Sequence, residues 1–398
     1  MRIRTVDYVG NLGGGTRFSI EVLKALSAKY PSSELELISH GRALLRYRDL
    51  VREAGIPVRL MEAPPRGRLL NRRYPRFLRS AIGPLAKKLA SIAVKWHFDV
   101  PPEVLGECDV VWFPWMHWHR LPPAPMTRVV ASFHDTIIFD IKDVVPNRAV
   151  QDEGATIRHW VSTPASIVVS SNATANRMAH LFGPAVARYD LVRLAADHGF
   201  GPASDPASLR WEWMNSPYLL YPSNTSRHKN HELLLSGLAA WGAKVPLILC
   251  GENSDLRSDG RGREIHAHLG RLGLRKDVDV RALGYVGDRE YMQLLLHAWA
   301  LVMPSLAEGG GSFPAWEALL AGVPVLCSDI PVMRELASWL QADMIWFNPR
   351  DPLSLANGLE ELFGNYDEYR CRTKEQIPHL RHRKWTDVAQ DYWRIFRG

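Results

Sequence analysis

The stretch LVMPSLAEGGGSFPAWEALLAGVPVLCSDIPVMRE, residues 301–335, carries the densest pattern in the chain. An apolar strand, three glycines at 309–311, a short helix from Pro314 and a second apolar strand follow one another. Glycines let backbone N–H groups approach a ligand, and the N-terminus of a helix favours phosphate. Glu308 and Glu317 flank this turn. Carboxylates beside an anion site favour sugar or ribose hydroxyls as further ligands.

Size and composition indicate a globular protein of two domains. The chain has 398 residues, which suits two domains of about 150–200 residues each. Hydrophobic residues make up 46% and charged residues 23%, and no run reaches the roughly 18 apolar residues that a membrane span needs. Glycines interrupt the N-terminus before an apolar segment of signal-peptide length, which predicts a cytoplasmic protein. Four well-separated cysteines favour buried reduced thiols over disulfides or a zinc site: Cys108, Cys250, Cys327 and Cys371.

The net charge of +7 and the pI near 9.2 fit ligands that carry negative charge. Phosphate-bearing ligands, an anionic membrane face and nucleic acid all satisfy this balance, and charge alone does not choose among them.

Strands and helices alternate along the chain in two rounds. A strand at Ile3–Val9, a glycine turn at 13–15 and an amphipathic helix open the first round, and a strand at Tyr218–Tyr221 opens the second after a proline-rich linker. The opening turn lacks the GxGxxG fingerprint, which disfavours a nicotinamide dehydrogenase. The alternation predicts an α/β fold with doubly wound parallel sheets. The predicted domains are residues 1–200, joined by a final helix at 384–398 that packs back on them, and residues 201–383.

An arginine-rich stretch interrupts the first half. RGRLLNRRYPRFLR, residues 66–79, places arginines that include Arg72, Arg73 and Arg76 among apolar and aromatic residues. Such interleaving is typical of a helix that lies on anionic lipid. A groove for the phosphate of an acceptor and a plain solvated helix face are the other interpretations.

An aromatic loop follows the predicted strand at 109–113. Trp115, His117 and Trp118 crowd into it, and loops at the carboxyl ends of parallel strands bind ligands in such folds. Stacking of this loop against a sugar or lipid acceptor is therefore a hypothesis. A histidine pair two residues apart, His117 and His119, with no third ligand is a poor metal site.

Two further segments carry polar groups at predicted strand or helix ends. His134 and Asp135 follow a strand, where a histidine oriented by a carboxylate supplies a hydrogen-bond donor or a proton-active group, or is purely structural. Arg227 and Lys229 precede a helix and would add full charges to its dipole in holding a diphosphate. A DxD sequence at Asp277–Asp279 precedes a strand, at the sheet edge away from ligands, so we predict no metal site.

Taken together, these motifs resemble those of the retaining glycosyltransferases of family 4, in its mannosyltransferase-like group. The resemblance covers nearly the whole chain and implies a GT-B fold, in which two Rossmann-like domains face a cleft. It rests on six segments: Gly13–Gly15, Phe133–Thr136, Tyr221–Asn230, Leu283–Val286, Met303–Ala318 and Gly322–Val325.

The resemblance also implies a role for each matching position. His134 would lie near the reacting centre, and the transferred sugar would face Glu308 and the turn that follows it. Lys229, with Arg227, would hold the donor diphosphate, and Glu317 would bind the ribose. The remaining donor-binding residues are Tyr285 and Val286 at the base, Gly309, Gly310, Gly311, Ser312 and Phe313 at the sugar, and Gly13, Gly14 and Gly15 closing over the donor.

Two departures from the family pattern stand out. Relatives leave seven residues between the two glutamates of the core motif, whereas eight, Gly309 to Trp316, separate Glu308 from Glu317 here. The extra residue puts the position of Glu308 in doubt. Many relatives also carry an arginine where Ser223 stands, which shifts phosphate neutralisation to Lys229 and Arg227.

The expected activity is transfer of a hexose, mannose-like favoured, from a GDP- or UDP-linked sugar with retention and without metal or cofactor. The expected partners are the nucleotide sugar, a glycan or polyprenyl-lipid-linked acceptor, and the inner face of the plasma membrane, as in surface polysaccharide or lipopolysaccharide synthesis. A nucleotide-sugar epimerase or hydrolase on the same fold is one alternative. A basic nucleic-acid-binding protein is another, although no aromatic-basic recognition module supports nucleic acid as a partner.

Overall fold

The structure is a computed structural model, and it describes residues 1–10, 14–62, 97–122, 127–141, 144–183, 189–196, 211–257, 260–380 and 382–398. Gly13 and the arginine-rich stretch with Arg72, Arg73 and Arg76 lie outside the described residues.

The strands are β1 (Arg2–Val6), β2 (Glu34–Ser39), β3 (Val58–Glu62), β4 (Phe98–Asp99), β5 (Val110–Phe113), β6 (His119–Arg120), β7 (Arg128–Phe133), β8 (Ser166–Val169), β9 (Tyr189–Leu191), β10 (Leu219–Pro222), β11 (Leu247–Cys250), β12 (Val280–Ala282), β13 (Ala300–Met303), β14 (Val325–Ser328) and β15 (Ile345–Phe347). The α-helices are α1 (Gly14–Lys29), α2 (Gly41–Ala54), α3 (Ile137–Asp140), α4 (Asn147–Ser162), α5 (Asn172–Phe182), α6 (His231–Ala240), α7 (Gly260–Arg271), α8 (Asp288–His297), α9 (Phe313–Leu320), α10 (Pro331–Leu340), α11 (Pro352–Gly364), α12 (Tyr366–Gln376) and α13 (Trp385–Arg397).

Two parallel sheets organise the described residues. The first has the order β3-β2-β1-β5-β7-β8-β9 and the second the order β12-β11-β10-β13-β14-β15, and all their strand pairs are parallel. Most of the central strands are buried along their length, as expected where helices cover both faces. We call the part built on the first sheet the first domain and the part built on the second sheet the second domain. The prediction of doubly wound parallel sheets is confirmed.

The strand order fixes where a ligand can bind. In the first sheet the chain reverses its direction of winding between β1 and β5, and in the second sheet between β10 and β13. Ligands of open α/β sheets bind outside the carboxyl ends of the strands at such a reversal. The loops after these four strands are therefore the expected lining of a site.

Helix α13 packs on the first domain although it follows the second in the chain. Its apolar face joins the core around α1, where the rings of Phe18 and Trp385 lie 6.1 Å apart and those of Trp112 and Tyr392 lie 5.1 Å apart. The hydroxyls of Tyr392 and Ser132 are hydrogen-bonded at 2.7 Å. The exact domain boundaries at 200 and 383 stay a prediction.

Strand β1 is shorter than the sequence predicts. The predicted strand ran to Val9, but it ends at Val6 because the carboxylate of Asp7 accepts hydrogen bonds from the backbone N–H groups of Val9 and Gly10. A side chain that bonds the next two residues closes a turn and competes with the sheet ladder. Among the described residues, no helix combines the length and apolarity needed to cross a lipid bilayer.

Candidate functional site

The glycine turn between β13 and α9 touches the first domain along its backbone. A Cβ at Gly309 would lie 2.6 Å from the carbonyl oxygen of His134, and one at Gly310 would lie 2.5 Å from the side chain of Ser170. Gly311 has φ +109, a conformation that residues with a side chain rarely adopt. The hydroxyl of Ser312 then accepts a hydrogen bond from the N–H of Ala315 and caps α9. Gly309 and Gly310 are needed because the two domains meet here, and Gly311 is needed for its backbone conformation.

Helix α5 of the first domain orients this turn. The hydroxyls of Ser171 and Thr174 lie 3.1 and 3.2 Å from the carbonyl oxygen of Gly309. In a trans peptide the C=O and N–H groups point in opposite directions. Because the C=O of Gly309 faces α5, the N–H of Gly310 faces away from α5.

Glu308 and Lys229 form an ion pair next to the turn. Nζ of Lys229 lies 2.5 Å from Oε1 of Glu308, and both side chains are largely buried. Burial alone would raise the pKa of Glu308, but the charge of Lys229 and its hydrogen bond to the carboxylate hold the pKa below its usual value. Burial, and then the charge of Lys229, lowers the pKa of His228 to about 4. Despite the extra residue between Glu308 and Glu317, Glu308 lies beside Lys229, the cation that is predicted to hold the diphosphate.

Glu317 is fully buried on α9 and bonded through both carboxylate oxygens. Its Oε1 lies 2.5 Å from Nη2 of Arg17, at the start of α1, and its Oε2 accepts a hydrogen bond of 2.6 Å from the hydroxyl of Tyr291 on α8. Burial, followed by the charge of Glu317, raises the pKa of Tyr291 well above its usual value. The guanidinium of Arg17 also lies 5.0 Å from the centre of the Phe313 ring. Sequence reasoning missed both Arg17 and Tyr291.

Comparison with known proteins places these residues in a family. Residues 210–379, which include Lys229, Tyr291, Glu308 and Glu317, match the family Glycosyl transferases group 1. This part of the chain is a Glycosyl transferases group 1 domain. The resemblance read from the motifs is thereby confirmed.

Two relatives with assigned functions are O-antigen mannosyltransferases. O-antigen chain mannosyltransferase B of Escherichia coli is 27% identical over 222 residues, which is 54% of this chain and 56% of that protein. O-antigen chain mannosyltransferase RfbU of Salmonella typhimurium is 29% identical over 145 residues, 36% of this chain and 38% of that protein. The matched part thus spans about half the length of the first relative and less of the second.

A solved structure shares the whole fold. HepE of Anabaena, solved in complex with UDP-glucose, has a TM-score of 0.69 and 17% sequence identity, and the match covers 100% of this chain and 99% of that one. The predicted GT-B arrangement of the group 1 domain and the first domain is confirmed.

His134 lies in the first-domain wall that faces the group 1 domain. Its Nε2 donates to the carbonyl of Pro114 at 2.9 Å, and its Nδ1 lies 3.3 Å from the hydroxyl of Ser170. Its ring stacks on Trp115 and meets Phe18 edge-on. Burial lowers the pKa of His134 to about 4, so the ring is neutral at pH 7. With both nitrogens hydrogen-bonded, the ring is suited to shaping the site and not to accepting a proton.

The side chain of His117, in the aromatic loop, is buried inside the first domain. Its Nδ1 is 2.8 Å from the carboxylate of Glu153 on α4, and its Nε2 is 3.1 Å from the carbonyl oxygen of Asp135. His97 holds the other oxygen of Glu153 at 2.6 Å. The side chain of His117 is buried and both its nitrogens have protein partners, so the prediction that it contacts an acceptor is corrected: it holds the His134–Asp135 segment in place.

Glu153, His97 and His117 form a buried cluster in which the carboxylate and the histidines stabilise one another's charged forms. Burial would raise the pKa of Glu153, but the hydrogen bonds and charges of His117 and His97 lower it to about 2. Burial would lower the pKa of His117, but Glu153 outweighs burial and raises it. Burial raises the pKa of Asp135, whose carboxylate accepts a hydrogen bond from the N–H of Ile137.

The other predicted residues lie around the same cleft or outside it. A Cβ at Gly14 would lie 3.5 Å from Phe313, and one at Gly15 would lie 3.6 Å from Trp115. Trp115 and Trp118 are half-buried. Tyr285 is 67% exposed, and Val286 packs on the core of the group 1 domain.

Arg227 lies near Glu264 and does not pair with Glu308 or Glu317. It is about half exposed and lies 3.7 Å from Glu264 on α7. Its role at the diphosphate stays a prediction. Asp279 of the DxD sequence is paired with Arg275.

Proposed function

We propose that this protein is a retaining, metal-independent glycosyltransferase. It moves a hexose, mannose-like favoured, from a nucleotide diphosphate sugar to a hydroxyl of a glycan or lipid-linked acceptor in surface polysaccharide or lipopolysaccharide synthesis. The observation that carries the proposal is the glycine turn of a group 1 domain, flanked by the Lys229–Glu308 pair and by the buried Glu317.

These residues suit departure of a nucleoside diphosphate. When the bond from the anomeric carbon to the diphosphate oxygen breaks, its electron pair stays on phosphate, and Lys229 and the N-terminus of α9 stabilise that charge. The acceptor oxygen bonds the anomeric carbon on the same face, and its proton passes to the departing phosphate. Glu317 holds the ribose, and neutral His134 forms the wall beside the sugar.

The relatives favour mannose and a nucleotide donor. Both O-antigen relatives are mannosyltransferases, and the neighbouring HepE structure contains UDP-glucose. We therefore expect a GDP- or UDP-linked hexose.

A thermal-shift panel of GDP-, UDP-, ADP- and dTDP-sugars tests donor binding. A ligand at 100 times its dissociation constant stabilises the folded protein by about 2.7 kcal/mol, so one base should raise Tm clearly above the others. Product analysis with and without a glycan acceptor then separates transfer from hydrolysis or epimerisation. A panel without any shift, or release of free sugar at the same rate with acceptor present, contradicts the proposal.

We also propose a cytoplasmic location at the inner face of the plasma membrane. The support is the arginine-rich sequence at 66–79, since each arginine near an anionic surface contributes about 1 kcal/mol. Replacing Arg72, Arg73 and Arg76 by serine should weaken binding to phosphatidylglycerol vesicles by about 10²-fold, measured by co-sedimentation. Arg48, Arg52 and Arg59, which are exposed in the described part of the first domain, provide the control of equal charge. Equal binding by the two triple variants contradicts this location.

A further inference from the structure

Arg17 joins the two domains across the cleft. It belongs to the first turn of α1 and reaches Glu317 on α9, with its guanidinium 2.5 Å from Oε1 and its side chain 30% exposed. The same guanidinium lies over the ring of Phe313, beside the glycine turn. Arg17 therefore lies at the candidate donor site and is still reachable from solvent.

Among the described residues, the cations at this site are too few to balance a diphosphate. Lys229 is paired with Glu308, so the two charges cancel before a donor arrives. Arg227 lies toward Glu264. Ser223 stands where an arginine would match the family pattern, and its hydroxyl donates a hydrogen bond to the carbonyl oxygen of Asn224. A nucleoside diphosphate brings at least two negative charges into a site that already holds two glutamates.

A ribose that binds Glu317 would compete with the present partners of its carboxylate. Its two oxygens are bonded to Arg17 and Tyr291. Of these two partners, Tyr291 is partly buried and packs on the core of the second domain, whereas Arg17 is on a long, partly exposed side chain from the other domain. Arg17 is the partner that can leave.

We propose that Arg17 moves from Glu317 to the diphosphate when the donor binds, an inference that rests on the proposed function. The ribose hydroxyls replace Arg17 as donors to the carboxylate of Glu317. The freed guanidinium then binds phosphate oxygens, for which its planar fork of N–H donors is better suited than a lysine ammonium. Arg17 thus supplies the second cation from the first domain and couples donor binding to contact between the domains.

The test compares a nucleoside with its diphosphate by isothermal titration calorimetry. The probes are uridine and UDP, or guanosine and GDP, whichever diphosphate stabilises the unaltered protein. Arg17→Ala should weaken diphosphate binding by at least about 10-fold, because a hydrogen-bonded charge contact is lost. The same variant should bind the nucleoside as well as the unaltered protein or better, because Arg17 no longer competes with the ribose for Glu317.

Three other variants complete the test. Arg17→Lys keeps the charge without the fork and should fall between the unaltered protein and Arg17→Ala for the diphosphate. Glu317→Gln should weaken nucleoside and diphosphate by the same factor, because the ribose is common to both. Lys24→Ala removes an exposed cation from the same helix, two turns further from the cleft, and should change neither affinity.

Several results would overturn the inference. Unchanged diphosphate affinity in Arg17→Ala would show that Arg17 does not bind phosphate. Equal tightening of both ligands would make Arg17 only a competitor of the ribose, and equal weakening of both would make it only a support of the cleft. Absence of binding by the unaltered protein is a distinct outcome, because it rejects the proposed function itself.

Discussion

Lys229 is the residue on which the proposed chemistry depends most. Lys229→Ala should lower turnover at saturating donor on the order of 10²-fold or more, because a positioned charge that stabilises the leaving phosphate is lost. Steady-state kinetics measure the effect, and circular dichroism shows that the variant is folded.

The matched control for Lys229 is Lys244. Its Nζ lies 2.5 Å from Glu360, the same separation as in the Lys229 pair, but this pair is on the surface of the second domain. Lys244→Ala should leave turnover unchanged. A folded Lys229→Ala protein with normal turnover would remove Lys229 from the mechanism.

Glu153 gives the first domain a defined pH dependence of stability. Its pKa in the folded protein is about 2 against 4.5 for an ordinary glutamate, so its contribution of about 3 kcal/mol is present above pH 4.5 and is lost as the pH falls toward 2. The pKa of His117 is raised above 6.5, so its contribution is present below pH 6.5 and is lost as the pH rises through the folded-state pKa. Glu153→Gln should therefore lower the free energy of unfolding most between pH 4.5 and 6.5, measured by urea denaturation across that range.

Glu34 serves as the comparison for Glu153. It lies in the same domain and pairs with Arg2 at 2.7 Å, but its side chain is 66% exposed. Glu34→Gln should have little effect at any pH. A loss of stability in Glu153→Gln that does not vary with pH would show that the cluster acts by packing alone.

Sequence reasoning proposed site residues that lie in local motifs and missed those defined by long-range contact. Lys229, Glu308, Glu317 and His134 each stand in a recognisable segment. Arg17 and Glu317 are 300 positions apart, so no local pattern announces their contact. The available signal for Arg17 was its place directly after the glycine turn, in GGGTR.

The glycine turn is an element at which the two domains are in direct contact. Gly309→Ala should lower turnover on the order of 10²-fold, because a methyl group 2.6 Å from the carbonyl oxygen of His134 forces the turn and the first domain apart. Turnover and nucleotide affinity measured on the same preparation show whether the donor, the chemistry or both are affected.

Gly270 provides an internal comparison for this substitution. It lies in helix α7, and a Cβ there would meet nothing within 4 Å. Gly270→Ala should be neutral or stabilise the protein by up to about 1 kcal/mol, because alanine favours a helix. Normal turnover in Gly309→Ala would mean that the cleft opens further than this contact suggests.

At the level of elements, the alternation of strand and helix was predictable, and several helices and ends were not. Helix α4 was not predicted, because its sequence, NRAVQDEGATIRHWVS, has glycine and polar residues at positions that face the core. One of those positions is Glu153, which is buried only because His97 and His117 bond it. A buried ion cluster does not follow the apolar periodicity by which helices are recognised.

Glu335 on α10 links the second domain to the first beside the glycine turn. Its carboxylate accepts hydrogen bonds of 2.8 and 2.7 Å from the N–H groups of Asn172 and Ala173 at the start of α5, and Arg193 lies 2.8 Å from the same group. Glu335→Ala should favour an open arrangement and raise the KM for donor roughly 10-fold, with a smaller change in kcat, because a carboxylate at a helix N-terminus is stabilising. Small-angle X-ray scattering without ligand should show a larger radius of gyration.

Asp329 is the control for this link. It pairs with Arg334 on the same helix at 2.7 Å, and about half of each side chain is exposed. Asp329→Ala should change neither KM nor the radius of gyration. If Glu335→Ala behaves in the same way, the contact with α5 does not set the arrangement of the domains.

The GT-B architecture as a whole was predictable because it rests on repeated local patterns. Each strand end near a reversal of winding carries glycine, proline or polar residues, and such segments can be recognised from the sequence alone. The close fit of the domains was not, since it depends on pairs such as Ser170 with Gly310 and Glu335 with Asn172 that come from different domains.

Helix α13 links the order of the chain to the order of folding. A ribosome releases the polypeptide from its N-terminus onward, so the second domain can fold while the first still lacks this helix. Until residues 385–397 emerge, the aromatic rings of Phe18 and Trp112 lack the cover of Trp385 and Tyr392. The first domain is thus synthesised before the second and completed after it, and premature termination just before Trp385 would destabilise the core around Phe18 rather than the second domain.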